Sequence, residues 1–250
     1  GTRGRPMVVL DTKEDWQWWM EAWQYVLDSA SIDPHDTVVM AFSFGPFIGF
    51  WSAFDAVVER GAKAVPTGGM STLARLELLQ SICATVLFCT PSYALHMAEV
   101  AQANHIDLRE TSISRIVVAG EPGGSVPAIK SKIEIAWNAR VIDHCGASEI
   151  GPWGFASPEG DGIFVNEAEF IPEFIPIDDQ DRAGDQAVLR PDTKPNAGQD
   201  PMFELVLTCL GRYGSPVIRY RTGDLVQPTW SHDERCRFVK LKGGVLGRTD

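Results

Sequence analysis

The sequence has no excess of positive charge: 22 Lys and Arg stand against 33 Asp and Glu, a formal net charge of −11. A nucleic-acid surface needs a dominant basic patch, so this balance excludes that class of partner. It does not exclude a single nucleotide, which a few placed groups can hold. Cysteine is sparse, and Cys83, Cys89, Cys145, Cys209 and Cys236 never form a C-x-x-C pair. An odd, scattered set predicts a reducing compartment, thiols acting as small buried hydrophobes, and no structural zinc site. Long apolar runs are missing too. The longest, Val38 to Phe54, is interrupted by Ser43, Gly45, Pro46 and Gly49, which is too broken for a membrane span. The opening "GTRGRPMVVLDTKED" has no apolar leader core. A soluble, cytoplasmic protein is expected.

What is present is enough core for one large domain or two small ones, with 250 residues of which 44% are hydrophobic. "EDWQWWMEAWQYVLDSA" puts Trp16, Trp19, Met20, Trp23, Val26, Leu27 and Ala30 on one helical stripe. That spacing, with no basic residues between the rings, predicts a helix docked on a sheet and not a base-stacking surface. Strand and helix patterns then alternate. "TVVMAF", "AKAVP", "TVLFC", "RIVVA" and "RVID" read as strands. Between them fall helices in "FIGFWSAFDAVVERG", in "STLARLELLQSICA" with Ser71 or Thr72 as cap, after Thr90-Pro91, and from Ser125 to Asn138. The fold class is therefore α/β, a mostly parallel sheet covered by helices. In such sheets ligands sit beyond the carboxyl ends of the strands, here "AGEPGG" and "HCGASE".

After about residue 160 the pattern shifts to short extended runs: "GIFVNE", "EFIPEFIPI", "AVLR", "FELVLT", "VIRYR", "DLVQ" and "RFVKL". The expected division is an α/β nucleotide- and acid-binding subdomain over 1–160 and a β-rich subdomain over 161–250. Residues 178–201, rich in Asp, Pro and Gly, read as loops around one strand.

Four stretches carry chemistry. "GTRGRPM" has the small residues that let backbone N–H groups close on phosphate oxygens. "AGEPGG" offers a flat backbone wall, or simply a β–α turn. "DHCGASEIG", residues 143–151, nearly spells a G-x-S-x-G nucleophile turn, but its closing glycine falls one position late. A Ser148 hydrolase would need His144 as base. In "SPVIRYRTGDLV" an alternating strand puts Arg219 and Arg221 on one face, and a Thr-Gly turn presents Asp224. A carboxylate there can accept both hydrogen bonds of a ribose diol, or cap its own turn.

Together "GTRGRP", "AGEP", "DHCGASE", "FELVLTCLGRYGSPVIRYRTGDL" and "LGRTD" occur in the order and rough spacing of the adenylate-forming superfamily. The chain resembles phenylacetate–CoA ligases and their relatives across its whole length. The resemblance implies a ligase that activates a small-molecule carboxylic acid with ATP and Mg²⁺, releases pyrophosphate, and passes the acyl group to coenzyme A. By position it implies that Glu149 holds the Mg²⁺ and Ser148 bonds a phosphate. Gly1, Thr2 and Gly4 would cradle phosphates. Gly120, Glu121 and Pro122 would wall the adenine, with Cys145 and Gly146 beside it and Asp143 near its exocyclic amine. Asp224 and Arg248 would grip the ribose. Phe42, Phe44, Phe47, Ala147, Ile150 and Pro152 would line an acyl pocket suited to an aryl or other apolar acid, though the phenylalanines fit plain core equally well. Asp250 would be the hinge. A homodimer is compatible with all of this.

The sequence departs from the family in places. Cys145 stands where a Tyr usually stacks on adenine, Arg3 replaces a small hydroxyl residue, Met7 replaces a Lys, and Phe203 replaces a Gly. The family's small C-terminal domain is absent from the sequence, which predicts binding with little turnover. Two alternatives stay open: an adenylating enzyme that loads a carrier-protein thiol, and a non-catalytic nucleotide-binding homologue.

Overall fold

Thr12 starts the first helix, α1 (Lys13–Ser29), with a capping box. Its hydroxyl accepts the Asp15 N–H at 3.1 Å, and the Asp15 carboxylate accepts the Thr12 N–H at 2.7 Å. The computed structural model describes residues 10–45, 47–177, 201–230 and 236–249. Gly1, Thr2, Arg3, Gly4, Met7, Asp250 and the expected strand "AVLR" lie outside the described residues.

The elements after α1 are β1 (Thr37–Met40), α2 (Ile48–Glu59), β2 (Lys63–Pro66), α3 (Thr72–Ser81), β3 (Val86–Cys89), α4 (Pro91–Ala103), β4 (Arg115–Val118), α5 (Pro127–Trp137) and β5 (Arg140–Ala147). There follow β6 (Gly151–Ala156), β7 (Gly162–Val165), β8 (Phe170–Pro176), β9 (Phe203–Cys209), β10 (Tyr220–Val226), β11 (Pro228–Thr229), β12 (Lys240–Lys242) and β13 (Gly247–Arg248). A nine-stranded sheet has the order β11-β12-β7-β6-β5-β4-β3-β1-β2, and a four-stranded sheet the order β13-β10-β9-β8. From β2 to β5 every pairing is parallel. Beyond β5, and throughout the second sheet, every pairing is antiparallel. Strand membership does not divide at residue 160, because β7, β11 and β12 extend the first sheet.

The inner parallel strands β1 and β3 are buried along their whole length, as helix-covered strands must be, whereas the edge strand β2 is not. Val38, Met40, Val86, Phe88, Val117 and Ile142 face one core with α1, α2 and the second sheet. The alternate residues Val39, Leu87, Ile116, Val118 and Val141 face another core with α3, α4 and α5. The expected caps form: the Ser71 hydroxyl accepts the Ala74 N–H, and the Thr90 hydroxyl accepts the Tyr93 N–H. Burial on α1 is wider than the expected stripe. Trp18 and Ala22 are buried, whereas Trp16 is half-buried and donates its indole N–H to Asp55 at 3.0 Å.

Three local readings change. The fifth helix starts at Pro127 and not Ser125, because the Ser125 hydroxyl is committed to Asp143 at 2.5 Å. The tenth strand starts at Tyr220. Arg219 precedes it at φ +51°, so Arg219 and Arg221 are not alternating strand neighbours. Arg219 pairs with Glu173, and Arg221 pairs with Glu204. The expected Thr-Gly turn is a bulge inside β10: register shifts between Arg221 and Leu225, and Gly223 takes φ +74°.

Candidate active site

Val118 pairs with Asp143 where β4 ends, while β5 continues through His144, Cys145, Gly146 and Ala147 to pair with β6. The overhang leaves a cleft of about 780 Å³ beyond the carboxyl ends of the parallel strands. Gly120, Glu121, Pro122, Asp143, Cys145, Gly146, Ala147, Ser148, Glu149, Asp224 and Arg248 all line it. Glu149 and Asp224, seventy-five positions apart in sequence, thus face one space.

The glycines of "AGEPGG" have separate jobs. Gly120 adopts φ +91°, and a Cβ on Gly124 would fall 2.5 Å from the Asp143 carboxylate. The Glu121 carboxylate turns away to accept the Ser92 N–H at 2.7 Å at the start of α4. Asp143 accepts the Ser125 hydroxyl at 2.5 Å and the His144 N–H at 3.0 Å. Burial outweighs both hydrogen bonds and pushes its carboxyl up to about 6. His144 is buried, with its ring 4.4 Å from that of Trp23 and its Nδ1 2.8 Å from the Gly154 carbonyl. A carbonyl only accepts, so Nδ1 carries the proton. Burial lowers this imidazole to about 4, leaving it neutral. Burial, and then the Asp143 and Asp224 carboxylates, push the Cys145 thiol well above its usual range. It is an uncharged contact surface and not a nucleophile.

Ser148 is exposed at the rim and Glu149 is half-buried. Asp224 and Arg248 are register partners across β10 and β13 and form an ion pair at 3.1 Å. Of the six residues named for an acyl pocket, only Ala147 lines the cleft. Ile150 is fully buried in the core and Pro152 is buried in β6. Phe42 stacks on Phe50 at 4.1 Å, Phe44 packs edge-on to Trp51, and Phe47 is 51% exposed at the start of α2. Sequence reasoning missed Ser125, Trp153, Tyr220, Thr222, Gly243 and Val245 on the cleft wall. Of these, Tyr220 and Thr222 flank Asp224 in the strand pattern, and the Gly243-Gly244 pair marks a close approach. Gly244 leaves room for no more than 2.9 Å between a Cβ and Ser125.

Comparison with known proteins agrees with this fold. No protein-family model matches the chain. It is 29% identical over 253 residues to a phenylacetate–coenzyme A ligase of Thermus thermophilus, covering all of this chain and 53% of that protein. It is also 29% identical over 254 residues to a phenylacetate–coenzyme A ligase of Escherichia coli, covering 54% of it. The structure of a 2-hydroxyisobutyryl-CoA ligase in complex with 2-HIB-AMP and CoA superimposes with a TM-score of 0.85 at 27% identity. That match covers 100% of this chain and 56% of the other. Along its whole length the chain is thus similar to phenylacetate–coenzyme A ligases, and it shares its fold with the 2-hydroxyisobutyryl-CoA ligase. It spans about half the length of the curated relatives it matches. No helix among its described residues is long and apolar enough to cross a membrane.

Proposed function

We propose that the chain forms the nucleotide- and acid-binding core of an AMP-forming acid–thiol ligase. The carboxylate of a small acid attacks the α-phosphorus of ATP, pyrophosphate leaves, and the thiol of coenzyme A then displaces AMP from the acyl-adenylate. The observation that carries this reading is the convergence of Glu149, Asp224 and the Gly120–Pro122 wall on one cleft. The matched proteins are coenzyme A ligases, which supports it.

In this reading Gly120 to Pro122 lie against the adenine and Asp143 accepts its exocyclic amine. The Asp224 carboxylate accepts ribose hydroxyls while Arg248 holds its orientation. Glu149 would hold Mg²⁺. The donor set fits that ion: among the described residues no cation forms an ion pair with the Glu149 carboxylate, and no cluster of three or more His, Cys, Asp or Glu could cage a metal. Mg²⁺ is commonly bound by one or two carboxylates together with substrate phosphates and water. When bound it neutralises phosphate charge as the carboxylate approaches. Ser148, at the rim, donates to a phosphate oxygen. The acid would lie along Ala147, Trp153 and Val245, a wall suited to an aryl or other apolar group.

Calorimetry with a phenylacetyl sulfamoyl-adenosine, a stable acyl-adenylate mimic, tests the reading. It should bind more tightly than AMP and lose at least tenfold on Asp224→Ala. Equal binding by the variant would overturn the assignment. A second reading, a nucleotide-binding homologue without catalysis, is favoured by Cys145, which gives adenine one aromatic face fewer. Mg·ATP binding without pyrophosphate release would select it. Omitting coenzyme A from a thioester-formation assay separates the coenzyme A ligase from an enzyme that loads a carrier-protein thiol.

A further inference from the structure

Arg212, in the link between β9 and β10, has a side chain only 1% exposed. A guanidinium taken out of water is costly unless its donors are met. Here they are. Nε and Nη2 donate to the two Asp11 carboxylate oxygens at 2.7 and 3.0 Å, and Nη1 donates to the Glu149 carbonyl at 2.7 Å. The guanidinium lies 5.4 Å from the centre of the Trp19 ring.

The link is built to hold that charge in place. A Cβ on Gly211 would fall 2.1 Å from Trp18, and one on Gly214 would fall 2.4 Å from the Asp15 carboxylate. Both glycines therefore let the backbone close on α1. Asp15 accepts the Tyr213 N–H at 2.6 Å and the Gly214 N–H at 2.9 Å, so the carboxylate that caps α1 also anchors the link. The next carbonyl along, that of Ile150, accepts the Cys209 thiol at 3.2 Å. The carbonyl of Glu149, on the cleft, and that of Ile150, next to it in the core, are thus held from the link after β9 and from its end.

We infer that Arg212 is a positioning residue: through the Glu149 carbonyl it fixes where the Glu149 carboxylate starts, and it ties that point to Asp11. The inference rests on the proposed role of Glu149 and goes beyond it, because Arg212 does not line the cleft. A lysine could meet one of these acceptors but not all three, since it lacks the planar fork.

Hydrogen–deuterium exchange of residues 147–151 without nucleotide, paired with ATP calorimetry with and without Mg²⁺, tests it on wild type, Arg212→Lys and Asp11→Asn. Arg212→Lys should speed exchange at 147–151 about tenfold while α3 and α4 exchange as in wild type. It should weaken ATP about tenfold with Mg²⁺ and little without it. Asp11→Asn should fall between. Unchanged exchange in folded Arg212→Lys, or equal loss with and without Mg²⁺, overturns the inference. If wild type shows no Mg²⁺-dependent ATP binding, the role of Glu149 falls, and the exchange result still decides whether Arg212 holds the rim.

Discussion

Asp143 and His144 are neighbours in β5 with opposite demands on the fold, and replacing the first exposes the second. Asp143 is raised from its ordinary 3.8 to about 6 by burial. A raised carboxyl contributes stability that is fully present below its unfolded value and lost as pH rises through the folded one. The separation is worth about 3 kcal/mol at most, since cleft water reaches part of the group. His144 is lowered from 6.5 to about 4 by burial. Its stability is present above the unfolded value and is lost as pH falls, again by about 3 kcal/mol. Between roughly pH 4 and 6 the two slopes oppose and nearly cancel in wild type. Asp143→Asn keeps the His144 N–H on its one carbonyl oxygen, turns its amide N–H to the Ser125 hydroxyl as donor, and removes the buried charge. At pH 7.5 the variant should be more stable by about 2–3 kcal/mol, a rise of roughly 5–10 °C in Tm for a chain of this size. Acidification from pH 7 to 4 should then cost it about 3 kcal/mol that wild type does not lose. Urea unfolding at intervals across that range measures both effects. A variant no more stable than wild type at pH 7.5, or one with a flat acid limb, would refute the reasoning.

Other outcomes follow from the same geometry. Gly124→Ala would put a Cβ 2.5 Å from Asp143 and 2.6 Å from Val118. It should cost about 1–3 kcal/mol in unfolding free energy and weaken AMP binding, both read on the purified chain. Cys145→Tyr should restore one stacking face and tighten AMP by about tenfold in calorimetry, since base–aromatic stacking is worth about 1–3 kcal/mol. Burial alone would raise Asp36, but the Asp33 N–H, the Thr85 hydroxyl and Arg115 outweigh it and hold its carboxyl below the usual range. Asp36→Asn should therefore cost about 3 kcal/mol near neutral pH in urea unfolding. The gap should close as pH falls through the carboxylate range, where a depressed group loses its contribution.

The parallel half of the first sheet was legible because its inner strands β1 and β3 are buried on both faces and read as unbroken apolar runs. Ser71 and Thr90-Pro91 marked their helix starts because a hydroxyl cap and a first-turn proline act locally. The overhang of β5 was not legible. "HCGA" has little strand propensity, and its pairing with β6 depends on chain that follows it. The bulge at Gly223 looked like a turn because both need the same left-handed glycine. The residues of the cleft floor could be named from the order of their motifs. The aromatic run at 42–47 misled, because ring content signals burial without saying which space is filled. Arg212 left only a faint trace, an arginine in "GRYG" whose glycines touch α1. Its partners are set by packing between segments about two hundred positions apart.

The most direct measurement is a crystal of the chain grown with a non-hydrolysable ATP analogue and Mn²⁺, read by anomalous scattering. A manganese peak is expected beside the Glu149 carboxylate, with the ribose hydroxyls within hydrogen-bond distance of Asp224. A nucleotide bound elsewhere, or bound in this cleft with Glu149 turned away from the metal, would contradict it.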